Sequence, residues 1–159
     1  STAQNFGRLD QDDLNWDRRP YRPWAAYCQS KLANQLFALE LHRRLAAAGS
    51  HVRVTSAHPG FTATDLQRTS PMSRLFNPIF GMRPVDGALP TLRAATDPAA
   101  ASGSYWGPHG LFEMRGPPAA ARISPRAQDR AIASWLWVES EKLTGAAFGL
   151  APANEKSAA

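Results

Sequence analysis

The chain has 159 residues, of which 43% are hydrophobic and 19% charged, a balance that places it with globular proteins and excludes a disordered tail or linker as the whole. Its formal net charge is +5, but the arginines are scattered as Arg18 and Arg19, Arg43 and Arg44, then singly, with no block of five like charges, so nucleic acid is not an expected partner. The single cysteine, Cys28, excludes an internal disulfide framework and suits a reducing, cytoplasmic setting; no run of about 18 apolar residues and no signal-peptide pattern is read, so no membrane span is expected.

Residues 1–23 read as loop, because Asp10, Asp12, Asp13, Gly7 and two prolines interrupt any period. A helix is predicted over Trp24–Ala48. Apolar residues recur there at three- and four-residue steps (Ala33, Leu36, Phe37, Leu41, Leu45, Ala48), and Gly49 suits a left-handed cap. Glu40 lies one turn before Arg43 and Arg44 and is placed to pair with either.

Tyr27 and Lys31, four residues apart, project from one face of that helix. An unassisted phenol ionises near pH 10. A neighbouring ammonium stabilises the phenolate, so such a pair is able to exchange a proton with a substrate oxygen near neutral pH. Cys28 has no metal-ligand neighbours and reads as a small packing residue. No metal site is expected anywhere in the chain.

His51–Ala57 is predicted as a strand with Val52 and Val54 on one face, ending at the turn His58-Pro59-Gly60. Helix, short link and strand are half of a βαβ unit and imply a parallel sheet, whose ligands sit beyond the carboxyl ends of the strands. Pro59, Gly60 and Thr64 therefore stand where a cofactor is expected; Thr64 also suits a helix N-cap. His58 reads as strand-end packing rather than a ligand. Residues 67–84 mix prolines with Met72, Leu75, Phe76, Ile79 and Phe80, fitting either a lid over an apolar substrate or a packed helix or oligomer contact.

A helix follows over Val85–Ala95, with Ala88, Leu89, Leu92 and Ala95 on its apolar side and with Pro90, a residue tolerated only in a helix's first turn. Ser104–Trp106 reads as a short strand and 109–126 as a Gly/Pro-rich loop. Residues 126–143 read as an amphipathic helix on which Trp135 and Trp137 are packing or oligomer anchors. Residues 151–159 are expected to be a disordered tail.

Taken together, Tyr27-Cys-Gln-Ser-Lys31-Leu-Ala-Asn34, Glu40-Leu-His-Arg-Arg-Leu45 and His58-Pro-Gly60-Phe-Thr-Ala-Thr64-Asp-Leu66 resemble the short-chain dehydrogenase/reductase family. Asp86-Gly-Ala-Leu-Pro-Thr91, Tyr105-Trp-Gly-Pro108 and Leu136-Trp-Val-Glu-Ser-Glu-Lys-Leu-Thr-Gly145 extend the resemblance, which is nearest the retinol-dehydrogenase-like and WW-domain oxidoreductase-like branch. The resemblance implies an α/β fold, the C-terminal part of a Rossmann-like doubly wound parallel sheet. It implies hydride transfer between an NADP or NAD nicotinamide and a small apolar alcohol or carbonyl. Tyr27 would be the general acid/base, and Lys31 would lower the Tyr27 pKa and hold the nicotinamide ribose. Ser1 would polarise the substrate oxygen, unless it is an ordinary terminal residue. The backbone after Pro59-Gly60, together with Thr64, would face the nicotinamide end.

The glycine-rich dinucleotide turn with which the family opens has no counterpart here, and the chain starts in mid-pattern at Ser1. Residues 1–150 are therefore expected to be the C-terminal portion of one such domain, with the N-terminal cofactor-binding half absent. Alone it is expected not to catalyse, and the longer protein to be a homo-oligomer. The alternative is a non-catalytic fragment or interaction module derived from the same fold.

Overall fold

The structure, a computed structural model, describes residues 2–60 and 82–149. Its elements in chain order are a 3-10 turn Thr2–Phe6, helix α1 Pro23–Ala47, strand β1 Ser56–Ala57, helix α2 Pro84–Thr96, strand β2 Tyr105–Pro108, a 3-10 turn Leu111–Glu113, strand β3 Pro118–Ala120, a 3-10 turn Pro125–Gln128 and helix α3 Arg130–Thr144. Contacts divide the chain into two compact units, one of Ala3–Val54 with Ile123–Ala159, the other of Ser1–Thr2 with Thr55–Arg122. Expectations for Ser1, Thr64, the apolar stretch through residue 81 and the tail 151–159 lie outside the described residues.

In the first unit α1 is the predicted helix almost to the residue. Pro23 opens it at a position where its missing N–H costs nothing. It closes through Gly49 at φ 64: Gly49 N–H donates to the Ala46 carbonyl and Ser50 N–H to that of Leu45, the paired bonds that satisfy a helix's last acceptors. The buried stripe is turned relative to the one predicted. Cys28, Leu32, Leu36 and Leu45 are buried, joined by the polar Gln29, Gln35 and Glu40, whereas Phe37 is 44% exposed. Leu32 and Leu36 pack with Ala127, Ala133 and Leu136, so the core of this unit forms where α1 meets α3 and the turn before it. The last helix begins at Arg130 rather than 126, because Asp129 caps it by accepting from Ile132 N–H at 3.0 Å. Trp137 is 3% exposed, stacked on Phe37 and covered by the Arg44 guanidinium, as a packing residue should be.

In the second unit β1 and β2 pair in parallel, with Ser56 opposite Tyr105 and Ala57 opposite Trp106. The expected strand over His51–Ala57 is reduced to Ser56–Ala57. A strand exists only where a neighbour accepts its ladder bonds, and those observed are Ser56 N–H to Ser104 and His58 N–H to Trp106. The 109–126 stretch, expected as loop, contributes β3, which runs antiparallel to β2. The three-stranded sheet is thus mixed rather than wholly parallel.

Helix α2 corrects its expected face. Gly87 and Pro90 are buried toward the strands, while Leu89 is 40% and Leu92 55% exposed. Small residues bring the helix axis close to the sheet, and the larger ones are left outside. Pro90 is not in the first turn but in the helix interior, where it removes one backbone donor.

Candidate functional site

Three contacts hold the turn of α1 that carries Tyr27 and Lys31. Gly7 is pressed against it; a Cβ there would lie 2.4 Å from the Cys28 carbonyl oxygen and 2.7 Å from Leu32 Cβ. Any side chain would push the loop off the helix, which is why a glycine stands at this close approach. Arg126 fixes the same loop by donating to the Gly7 carbonyl at 3.0 Å. The buried Gln29 bridges in both directions: its Nε2 donates to the Leu14 carbonyl at 2.7 Å, and its Oε1 accepts from Arg19 Nη2 at 2.8 Å.

The loop so fastened is organised by Asp13. Its carboxylate accepts from the backbone N–H groups of Asp17, Arg18 and Arg19 at 2.7, 3.1 and 3.0 Å, with the Arg19 guanidinium beside it. Burial pushes the Asp13 carboxyl upward, but these backbone donors and Arg19 outweigh it and hold the pKa below the ordinary carboxylate value. Arg19 also covers the Trp16 ring at 3.8 Å. Phe6, Arg8, Trp16, Arg19, Pro20, Arg22 and Ala25 line a groove of about 360 Å³ beside the start of α1; Tyr27 and Lys31 are not in its lining.

Tyr27 and Lys31 are both half-buried. The Lys31 ammonium lies 5.2 Å from the centre of the Tyr27 ring, and Trp24 stacks on the same ring with centres 5.7 Å apart. Among the described residues neither the Tyr27 hydroxyl nor the Lys31 ammonium is engaged in a hydrogen bond or ion pair. Ser30 is spoken for locally, donating to the Tyr27 carbonyl at 2.7 Å. Cys28 is buried, and burial raises its thiol pKa, which disfavours the thiolate.

Of the predicted site residues, the structure brings Tyr27 and Lys31 together. Pro59 and Gly60 belong to the other compact unit and are described there; Ser1 and Thr64 lie outside the described residues. Gly60 has φ +69, and a Cβ on it would meet the Met114 carbonyl oxygen at 2.4 Å. The turn is held from behind by His58, 2% exposed, whose Nδ1 accepts from Gly60 N–H at 3.2 Å. His58 Nε2 is 3.2 Å from Glu113 Oε2. Burial, joined by the positive charge of the amino terminus, lowers the His58 pKa to about 4, prevailing over the Glu113 carboxylate, which raises it. Glu113 had no signal in the sequence: it lies 55 positions from His58, in a stretch read as loop. Among the described residues no cluster of His, Cys, Asp and Glu is placed to hold a metal ion, and no helix is long and apolar enough to cross a membrane.

None of the protein-family models matches the chain. Curated proteins do. It is 40% identical over 156 residues to retinol dehydrogenase 13 of Homo sapiens, covering 91% of this chain and 44% of that protein. It is 34% identical over 156 residues to polyprenol dehydrogenase of Mus musculus, covering 94% and 44%. Among solved structures, an uncharacterized protein from Mycobacterium Paratuberculosis superposes with a TM-score of 0.75 at 42% identity, covering 94% of this chain and 50% of that one. The chain thus spans about half the length of the proteins it matches.

Proposed function

Because the chain belongs to the short-chain dehydrogenase/reductase family, we propose that the protein it represents interconverts an alcohol and a carbonyl with an NADP or NAD nicotinamide as hydride partner. The observation that carries the reading is the Tyr27–Lys31 pair: one helical turn apart, half-buried, the ammonium 5.2 Å from the ring centre. Neither polar head is committed elsewhere among the described residues. An uncommitted ammonium beside an uncommitted phenol suits a ligand offering hydroxyl groups and a reacting oxygen, so the donor set fits a nicotinamide riboside.

The bound cofactor supplies or accepts the hydride. In carbonyl reduction, Tyr27 Oη gives its proton to the substrate oxygen as that oxygen gains negative charge; in alcohol oxidation it takes the hydroxyl proton. Lys31 stabilises negative charge on the phenol oxygen and holds the ribose hydroxyls. Ser1 would donate to the substrate oxygen. Pro59, Gly60 and Thr64 would face the nicotinamide end. Both retinol and polyprenol are apolar isoprenoid alcohols, the names that two relatives bear. An apolar alcohol or its carbonyl is therefore the substrate class of this reading.

The test is turnover by the polypeptide as its own cells make it, its intact mass first measured, with retinal as substrate and NADPH or NADH supplied. Tyr27→Phe and Lys31→Met should each reduce kcat by about a hundredfold or more. Full activity in Tyr27→Phe sinks the reading. A second reading, a non-catalytic interaction module, draws on the exposed Val85, Leu89 and Leu92 of α2. It expects partner binding that Tyr27→Phe leaves intact.

A further inference from the structure

The second unit contains a polar chain, anchored on the buried His58, that packing alone does not require. His58 stands at the carboxyl end of β1, and Glu113 in the connection that leaves the carboxyl end of its parallel neighbour β2. In parallel sheets this is the edge at which ligands bind. Gly60 N–H donates to His58 Nδ1 at 3.2 Å. Accepting there, the neutral ring carries its proton on Nε2 and donates it to Glu113 Oε2, also at 3.2 Å. The other carboxylate oxygen, Oε1, accepts from Arg122 N–H at 2.9 Å. The order is thus Arg122 backbone, Glu113, His58, Gly60 backbone.

Two further features show how tightly the chain is built. A Cβ on Gly107 would lie 2.0 Å from His58 Nε2, so β2 admits the imidazole only because residue 107 is glycine. Glu113 itself sits at φ 57, a left-handed conformation unfavourable for a residue with a long side chain. Strain of that kind persists where surrounding contacts over-determine the geometry, and it concentrates at functional sites.

We propose that Glu113 and His58 are positioning residues for the nicotinamide cofactor: together they fix the peptide between Pro59 and Gly60. The proposal rests on the reading that this turn faces the nicotinamide. With the Gly60 N–H held by His58, the peptide plane cannot rotate, and the Pro59 carbonyl is turned to the side away from the imidazole.

The experiment compares binding of two ligands by calorimetry, using the polypeptide as its cells make it. One is the reduced nicotinamide dinucleotide that the wild type prefers; the other is the matching adenosine diphosphoribose, which lacks the nicotinamide. His58→Leu and Glu113→Ala should weaken the dinucleotide about tenfold and leave diphosphoribose binding unchanged. His58→Asn, whose Oδ1 reaches the place of Nδ1 and can accept from Gly60 N–H, should recover most of the loss. Nitrogen NMR of the imidazole should find the Nε2–H tautomer in wild type before any ligand is added. Equal losses for both ligands, no loss in Glu113→Ala, or the Nδ1–H tautomer would each overturn the positioning role. Should His58→Leu not fold, the Glu113→Ala and His58→Asn pair decides by the same comparison. A wild type that binds neither ligand refutes the cofactor reading itself, and the positioning role with it.

Discussion

Phe37 and Trp137 stack with ring centres 5.2 Å apart and planes 6° from parallel, joining α1 to α3. Phe148 meets the Trp137 ring edge-on at 5.7 Å, and the Arg44 guanidinium lies over it at 4.6 Å. The indole is the larger buried body and Phe37 is partly open to water, so the two truncations should differ. Trp137→Ala is expected to cost about 3–5 kcal/mol in a denaturant melt, and Phe37→Ala about 1–2 kcal/mol. The Trp137 N–H is buried without an acceptor among the described residues. Trp137→Phe should therefore stay within about 1 kcal/mol of wild type.

Glu40 is 7% exposed yet holds two arginines. Its Oε2 accepts from Arg43 Nη2 at 2.7 Å and its Oε1 from Arg44 Nε at 2.8 Å. Either arginine alone still neutralises the buried carboxylate. Arg43→Ala is expected to cost about 0.5–1 kcal/mol, but the double change with Arg44→Ala should exceed the sum of the singles by about 1–2 kcal/mol, since it strands the charge. A double-mutant cycle by thermal or urea unfolding measures this; strict additivity would argue against it.

Gly7→Ala places a methyl 2.4 Å from the Cys28 carbonyl, which is backbone and cannot swing aside. A loss of about 1–3 kcal/mol in stability is expected. The same variant should lower turnover more than it raises the KM for the alcohol, because the displaced segment lies against the turn bearing Tyr27 and Lys31. Normal turnover at full folding would separate that loop from the site.

Asp13 is held below its ordinary carboxylate pKa in the folded chain, so its contribution is present above the unfolded value of 3.8 and is lost as pH falls through the lower folded value. Asp13→Asn should abolish that acid-side dependence. Amide exchange at residues 17–19 should quicken in the variant while α1 and α3 keep their protection.

His58 has the opposite linkage. Its folded pKa is about 4 against 6.5 for the free side chain, so between those values the unfolded chain binds more protons. Stability should be full above about pH 6.5, fall by on the order of 3 kcal/mol as pH drops toward 4, and gain no further slope from this group below that. Urea melts from pH 7 to pH 4 on wild type and His58→Asn measure the term as the difference between the two curves. Parallel curves would mean that His58 is not buried neutral.

Much of the site was legible in the order of residues. An uninterrupted run from Trp24 to Ala48, Pro23 at its start and Gly49 after it fix a helix by local bonds alone, and a spacing of four then sets Tyr27 and Lys31 on one face. The Glu40 pairs with Arg43 and Arg44 follow from the same period. Tertiary structure alone decided the rest. Whether α2 buries Leu89 and Leu92 or Gly87 and Pro90 depends on how closely its axis approaches the strands, and close approach favours the small face. Ser56–Ala57 and Pro118–Ala120 become strands only because β2 lies between them with matching donors and acceptors. The Glu113–His58–Gly60 chain joins groups 55 residues apart. Helical order is specified by neighbours three and four residues away, whereas ladders, close packing and buried polar chains are specified by distant partners that no local pattern names.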